Sequence, residues 1–367
     1  MNNLKLLFLL FAFPLCALAQ SRTEVNLPDI PGYLTLKCDF HMHTVFSDGA
    51  VWPTVRVQEA WAEGLDAIAI TDHIEYLPHS QDMEIDHNRS FEIAEPLAEQ
   101  MGIVLIPATE ITRKMPPGHL NALFITNANL MDREDWWEAC VEAKEQGAFI
   151  LWNHPGWKAQ QPDTTRWWDE HTRLLNSGML HGMEVYNHKE FYPEVLGWAR
   201  DKKLTVFANS DVHAPIHMTY GDKHRPMTLV FATDKSMGAI KQALKDRRTV
   251  AYFDNQLVGE RQYLTPLFFG SVKIKNKRAG LENHQIRKIQ IHNSSDLDFH
   301  LKLRQPAVGF SCPESITLKA HQTVFVDLTG TSDEVATMDR LKLSYEVSNL
   351  LTLDGKPLSV NLDIANR

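Results

Sequence analysis

Between residues 34 and 232 the chain carries eight short apolar runs, at 34–40, 67–70, 103–108, 122–125, 148–152, 183–186, 204–208 and 228–232. Each has the length of a strand buried on both faces, as in a parallel sheet covered by helices. Helix-like stretches separate them. One runs from Pro53 to Gly64, with Pro and Gly where helix start and stop favour them. Another begins near Asp132, with acidic residues in its first turn, and stops at Gly147. A third runs from Ser236 to Arg247 and Arg248. The alternation predicts the α/β class, and seven or eight units favour a barrel over an open sheet. Residues 72–90 form a polar insertion, expected at the rim as a loop or lid.

After about Thr265 the period changes. Residues 285–292, 299–303, 316–328, 341–347 and 358–364 alternate with period two between turn-rich pieces, which predicts antiparallel strands of a β-sandwich. None of the nine tryptophans lies beyond Trp198. The expected division is a signal peptide at 1–19, a barrel at 20–264 and an Ig-like β-sandwich at 265–367.

The amino terminus has a basic Lys5, an apolar run over 6–18 broken by Pro14, and Ala17-Leu18-Ala19 as a small-x-small cleavage site before Gln20. The run is too short to span a bilayer comfortably, which leaves a membrane anchor as the alternative reading. Phe13-Pro14-Leu15 is a poor lipidation context for Cys16. The expectation is therefore a periplasmic or secreted protein without a stable membrane span. Cys38, Cys140 and Cys312 are too few and too far apart for a disulfide framework. With 44% hydrophobic and 23% charged residues the chain is not of the disordered class. A net charge of −9 argues against a binder of polymeric nucleic acid, which needs basic charge to displace counterions. The oligomeric state is not legible.

The 17 histidines carry the functional signal. His41 and His43 close the first apolar run, and alternation puts both on one face. Asp48 follows in Ser47-Asp48-Gly49, and His73 closes the second run. Glu110 follows the third run, His119 precedes the fourth, His154 closes the fifth, and Asp211 and His213 follow the seventh. All are metal-ligand types, and strand termini are where a barrel gathers its chemistry. Scattered core histidines would not fall at strand ends so consistently.

In this order, DFHMHTVFSDG, AITDH, PATE, HLNALF, WNHPG and NSDVH resemble the PHP (polymerase and histidinol phosphatase) family over about residues 34–248. The resemblance implies a distorted (β/α)7 barrel holding up to three divalent metals, and phosphoesterase activity. The signal segment and β-rich tail resemble a secreted phosphodiesterase subgroup. By motif, one metal would take His41, His43, Glu110 and Asp211. A second would share Glu110 and add His119 and His154. A third would take Asp48, His73 and His213. Some family members have His where Asp48 stands, but a carboxylate there still suits a hard divalent ion. Asp72 is expected to orient a histidine, and Asp39 to be structural.

The implied chemistry is hydrolysis of a small phosphoester by water activated on Mn, Fe or Zn ions, with Glu110 and Asp211 at its centre. Arg225 is a candidate phosphate grip and His217 a candidate proton donor to the leaving oxygen. Lys223 and His224 read as a solvated loop, and Asn187-His188-Lys189, after the sixth run, is a similar but weaker candidate for the grip and donor roles. His79, His87, His171 and His181 lack a strand-end context. Trp136, Trp137, Trp167 and Trp168 read as packing, whereas Trp52 and Trp157 lie beside the ligand motifs as rim packing or a pocket wall. Diester hydrolysis is expected ahead of monoester hydrolysis. An amidohydrolase also starts with His-x-His but commonly needs a Lys after its fourth strand, and Phe124-Ile125-Thr126-Asn127 has none. A glycan- or partner-binding module with an inactive barrel is the non-enzymatic alternative.

Overall fold

The computed structural model describes residues 21–367 apart from Asp222 and Lys277, so the expected signal segment lies outside the described residues. The apolar runs become strands because their side chains are buried on both faces. The chain builds β1 (Leu34–Asp39), α1 (Pro53–Ala62), β2 (Ala67–Ala69), α2 (Arg89–Met101), β3 (Val104–Ile106), β4 (Ala108–Ile111), β5 (Leu120–Leu123), α3 (Trp136–Glu145) and β6 (Phe149–Trp152). It continues with α4 (Asp169–Asn176), β7 (Gly182–Asn187), β8 (Glu190–Phe191), α5 (Pro193–Lys202), β9 (Thr205–Asn209), α6 (Ile216–Thr219), β10 (Met227–Ala232), α7 (Met237–Lys245), β11 (Thr249–Phe253), β12 (Gln256–Gly259) and α8 (Arg261–Ser271).

Every apolar run falls on a strand, with two shifts. Pro107 splits the third run into β3 and β4. β5 lies two residues earlier than its run, and Phe124, at φ 63, turns the chain out of the strand. The helix expected from Asp132 starts at Trp136 instead, because the Asp135 side chain accepts the Trp137 N–H and caps it there.

β1, β2 and β3 run parallel, and β10 closes antiparallel onto β1. β4, β5 and β6 pair antiparallel, and β6, β7 and β9 run parallel. The two arcs meet through single bridges, His73 with Glu110 on one side and Met42 with Val212 on the other. The result is the distorted α/β barrel that the sequence leads one to expect.

The tail comprises β13 (Val272–Ile274), β14 (Ile286–Asn293), β15 (Phe299–Leu303), β16 (Phe310–Ser311), β17 (Ser315–Leu318), β18 (Thr323–Gly330), β19 (Arg340–Thr352) and β20 (Pro357–Ala365). The expected strand 316–328 is two strands, with a turn at Lys319–Gln322 reversing the chain between β17 and β18. One sheet of the sandwich is β13, β14, β18 and β16. The other, β17, β15, β19 and β20, continues into the barrel sheet because β12 pairs parallel with β19. Barrel and tail thus share a sheet and a core, with Phe268 of α8 edge-on to Phe299 of β15 at 5.2 Å. Among the described residues no helix is long and apolar enough to cross a membrane.

Candidate metal centre

The parallel strands deliver ligands from their C-terminal ends, and the antiparallel ones explain the rest. β5 runs against β6, so its N-terminal end, with His119, lies beside the C-terminal end of β6 and its His154. The Asn153 N–H donates to the His119 carbonyl at 3.0 Å. Glu110 is carried into the centre near the end of β4. His154 and Asp211 hold left-handed backbones, φ 30 and 50, as is common where a site fixes its residues. Gly49 allows the turn after His43 to press on it, since a Cβ there would lie 2.5 Å from the His43 carbonyl carbon.

All nine expected ligands converge. Glu110 is fully buried, with Oε2 at 3.3 Å from His41 Nε2, 3.4 Å from His43 Nε2 and 3.0 Å from His73 Nδ1. Its Oε1 lies 2.8 Å from His119 Nδ1 and 3.9 Å from His154 Nε2. Asp211 Oδ1 is 3.2 Å from His41 Nε2 and 3.0 Å from His43 Nε2. Asp48 Oδ1 is 3.4 Å from His73 Nε2 and 3.2 Å from His213 Nε2. Four sets of donor atoms lie within 4.8 Å of one another: His43, Asp48, His73 and His213; His41, Glu110 and His154; His41, His43 and Asp211; and His73, Glu110 and His119. The sets differ from the expected partition: His43 joins Asp48, His73 joins Glu110 and His119, His41 joins Glu110 and His154, and Glu110 shares no set with Asp211.

The donors fit cations. Asp48 Oδ1 and His119 Nδ1 are buried without an aligned hydrogen bond, although ring nitrogens and a carboxylate stand within 3.4 Å of them. Lone pairs that point at a shared centre rather than at each other are what a metal uses. The electrostatics agree. Burial would raise the Glu110 and Asp211 carboxyls, but the surrounding histidines hold both well below the usual range. Burial and the neighbouring His73 and His213 push His43 down to about 3. Burial opposes charge on His73, yet Glu110 and Asp48 lift it to about 10. Protons and cations compete for these lone pairs, so divalent ions bound here displace protons and bind less tightly as the pH falls.

One supporting carboxylate escapes the sequence reading. Glu184, fully buried in β7, accepts from His41 Nδ1 at 2.8 Å and Asn209 Nδ2 at 2.9 Å through Oε1. Its Oε2 accepts from the His154 N–H at 2.6 Å and Asn187 Nδ2 at 2.8 Å. Glu184 therefore fixes the His41 tautomer that turns Nε2 towards Glu110 and Asp211. A carboxylate between Met183 and Val185 in a strand buried along its whole length was the signal available. Glu184→Gln is expected to weaken divalent-ion affinity roughly 10- to 100-fold, read by titration against a competing chelator; unchanged affinity overturns the role. Arg56 is a second unexpected support. Buried on α1, it donates to the carbonyls of His43, Val212, His213 and Ala214 and ties the ends of β1 and β9 together.

Three expected roles are corrected. Arg225 is fully buried, donates from Nη1 to Asp39 Oδ2 at 3.1 Å and from Nε to Glu63 Oε2 at 2.5 Å, and is absent from the lining of the cleft over the ligands, so it grips no phosphate there. Asp39, structural as expected, also accepts from Ser210 Oγ at 2.6 Å. Asp72 does not orient a histidine directly. It accepts from the Thr44 N–H and hydroxyl and from Ser47 Oγ, and so shapes the turn that carries Asp48. His217 is exposed on α6 and absent from the lining of the cleft over the ligands, whereas His188 lines it.

That cleft measures about 630 Å³, and no Lys or Arg is among its described lining residues. Trp157 lines it; Trp52 packs on Phe46 at 5.5 Å outside it. His171 stacks on Trp152 at 3.6 Å and His181 accepts from the Ile150 N–H, both away from the centre.

Comparison with known proteins places this arrangement. A family model described as an Ig-like domain matches residues 272–363. A solved two-domain protein from Bacteroides vulgatus, containing a predicted PHP-like metal-dependent phosphoesterase, is 45% identical. The alignment covers 94% of this chain and 100% of that one, with a TM-score of 0.89. A 5'-3' exoribonuclease of Haemophilus influenzae is 34% identical over 79 residues, 22% of this chain, so the match spans about a quarter of that relative's length.

Proposed function

The chain belongs to the PHP-like family of metal-dependent phosphoesterases, and from that premise we propose an exported phosphodiesterase that acts on small diesters with up to three Mn, Fe or Zn ions. The mixed imidazole and carboxylate donors of His41, His43, Asp48, His73, Glu110, His119, His154, Asp211 and His213 suit those ions better than an all-oxygen ion such as Ca²⁺. Bound there, the ions supply Lewis acidity and lower the pKa of water near neutral pH. The chain's own part is to fix the donors: Glu110 belongs to two of the four sets, and Glu184, Arg56 and Asp72 hold the turns and ring orientations.

The observation that carries the diester reading is the charge of the cleft wall. Asp48, Asp211 and Glu190 line it, and no lysine or arginine is among the described lining residues. A monoester dianion is usually gripped by an arginine fork; a diester monoanion needs only the cations. His188, on the cleft wall with its backbone N–H donating to the Asn209 carbonyl at 3.1 Å, takes the place of His217 as the proton donor to the leaving oxygen. The amino-terminal segment supports export to the periplasm or beyond.

The test is a comparison of bis(p-nitrophenyl) phosphate with p-nitrophenyl phosphate, using protein loaded separately with Mn²⁺, Fe²⁺ and Zn²⁺. The diester is expected to have the higher kcat/KM with at least one metal. A monoester preference with all three assigns the same centre to phosphomonoesters instead.

A further inference from the structure

The end of the barrel opposite the metal centre is closed by α7. Its Ile240, Ala243 and Leu244 pack into the barrel interior with Leu36, Phe149 and Phe207. The Thr205 hydroxyl, at the start of β9, donates to the Leu244 carbonyl at 2.7 Å. The turns that lead into β6, β7 and β9 lie around the helix, because parallel strands that end at the ligands all start here.

The outer side of this floor is basic, although the whole chain carries −9. Residues 234–248 hold five Lys or Arg against two Asp. Lys241 and Lys245 stand on α7, Lys144 is in the last turn of α3, and Lys203, at φ 57, turns the chain towards β9. None of these four lysines has an ion pair among the described residues. Lys144 Nζ donates to the Ser177 carbonyl at 2.7 Å, and Lys241 lies over the Phe124 ring at 5.2 Å. The lysines stand close enough to repel one another. Burial, and then Lys245, hold the Lys241 ammonium below its usual range, and burial, with Lys245 and Lys144 nearby, pushes His181 down to about 4. Most neighbouring acids are already engaged: Asp66 by Lys37 and Lys235, Asp201 by Arg200, Asp246 by Arg248 and Glu260 by Arg247. Glu145 and Asp234 remain without a cation, which leaves a surplus of positive charge on a rigid helical floor. Such a surplus is the footprint of an anionic partner.

The position of the patch selects the partner. Arg22 donates to the Trp61 and Leu65 carbonyls at 2.9 and 3.0 Å, in the turn between α1 and β2, so the described chain enters at this same end of the barrel. Lys5 and the apolar run over 6–18 precede that point in the sequence. A chain leaving a bilayer by that run presents the basic end to it.

We propose that the α7 end of the barrel docks on a bilayer rich in anionic lipid headgroups through Lys144, Lys203, Lys241 and Lys245. The metal cleft, at the other end, then faces away from the membrane and stays open to soluble ligands.

Cosedimentation with vesicles tests the docking, using the metal-loaded chain from Gln20 onward, which keeps every described residue and omits the apolar run. Vesicles rich in phosphatidylglycerol are expected to retain the protein at low salt, vesicles of phosphatidylcholine are not, and high salt releases it. Each lysine close to an anionic leaflet adds roughly fivefold to partitioning, so Lys241→Glu with Lys245→Glu is expected to weaken binding roughly 25-fold or more. The same charge change at two exposed positions of the tail, Lys302→Glu with Lys319→Glu, should leave binding within about threefold of wild type. Thermal denaturation shows that both double variants are folded. No retention on either vesicle, equal retention on both, or equal loss in the two double variants overturns the proposal. Binding to a single-stranded oligonucleotide without binding to vesicles assigns the patch to polymeric nucleic acid and overturns it as well.

Discussion

Glu110→Gln is expected to reduce diester hydrolysis by about 10³-fold or more, the loss of several kcal/mol of transition-state stabilisation by correctly held cations. No other side chain touches so much of the centre. One carboxylate stands within 3.4 Å of His41, His43, His73 and His119 and within 3.9 Å of His154. The substitution keeps the shape and removes the charge. The backbone of β4 stays paired with β5, and the Asn153 amide, which donates to Glu110 Oε1 at 3.1 Å, still meets an oxygen in one rotamer of the new amide. The variant should therefore fold and bind fewer ions. Turnover within tenfold of wild type, in protein shown to be folded, would remove Glu110 from the centre of the mechanism.

The second large effect concerns the tail. A chain ending at residue 264 is expected to aggregate or to lack a cooperative melting transition. The cut leaves the outer edge of β12 without β19, with Leu257 and Val258 fully buried at that seam. It severs α8 and removes Leu267 and Phe268, both within the shared core. Exposing or deleting a buried Leu, Val or Phe costs about 1.5–3 kcal/mol each, so a few are enough to exhaust a stability of about 5–15 kcal/mol. An unpaired apolar edge also invites association with other chains. Size-exclusion chromatography and thermal denaturation read the outcome. A monodisperse, cooperatively melting truncated barrel would show that the tail is a detachable module after all.

How much of this was legible follows from the range of each interaction. The apolar runs became strands because burial on both faces writes itself into consecutive residues. The convergence of the candidate ligands was legible because strand ends gather them, and even His119, ahead of its strand, fits once β5 is seen to run antiparallel to β6. The supports were not legible. Arg225 meets Asp39 across 186 positions of sequence, and nothing local separates a buried arginine from one that grips phosphate. Asp72 sits in the same motif as His73, yet its hydrogen bonds reach back 28 residues to Thr44. Glu184 looked like part of a strand and acts through His41, 143 residues away. The β12–β19 seam joined two segments whose periodicities differ, so the composition change at Thr265 marked a change of architecture without marking a place where the chain comes apart.

The central claim is that nine side chains at the barrel mouth hold a cluster of divalent ions. Metal content per chain, measured by plasma mass spectrometry after reconstitution with Mn²⁺, Fe²⁺ or Zn²⁺ and removal of free ions, tests it most directly. With at least one metal the protein should retain more than one ion per chain, up to three, and Glu110→Gln should retain fewer. One ion or none per chain with every metal, or a Glu110→Gln variant that holds as many as wild type, would contradict the account.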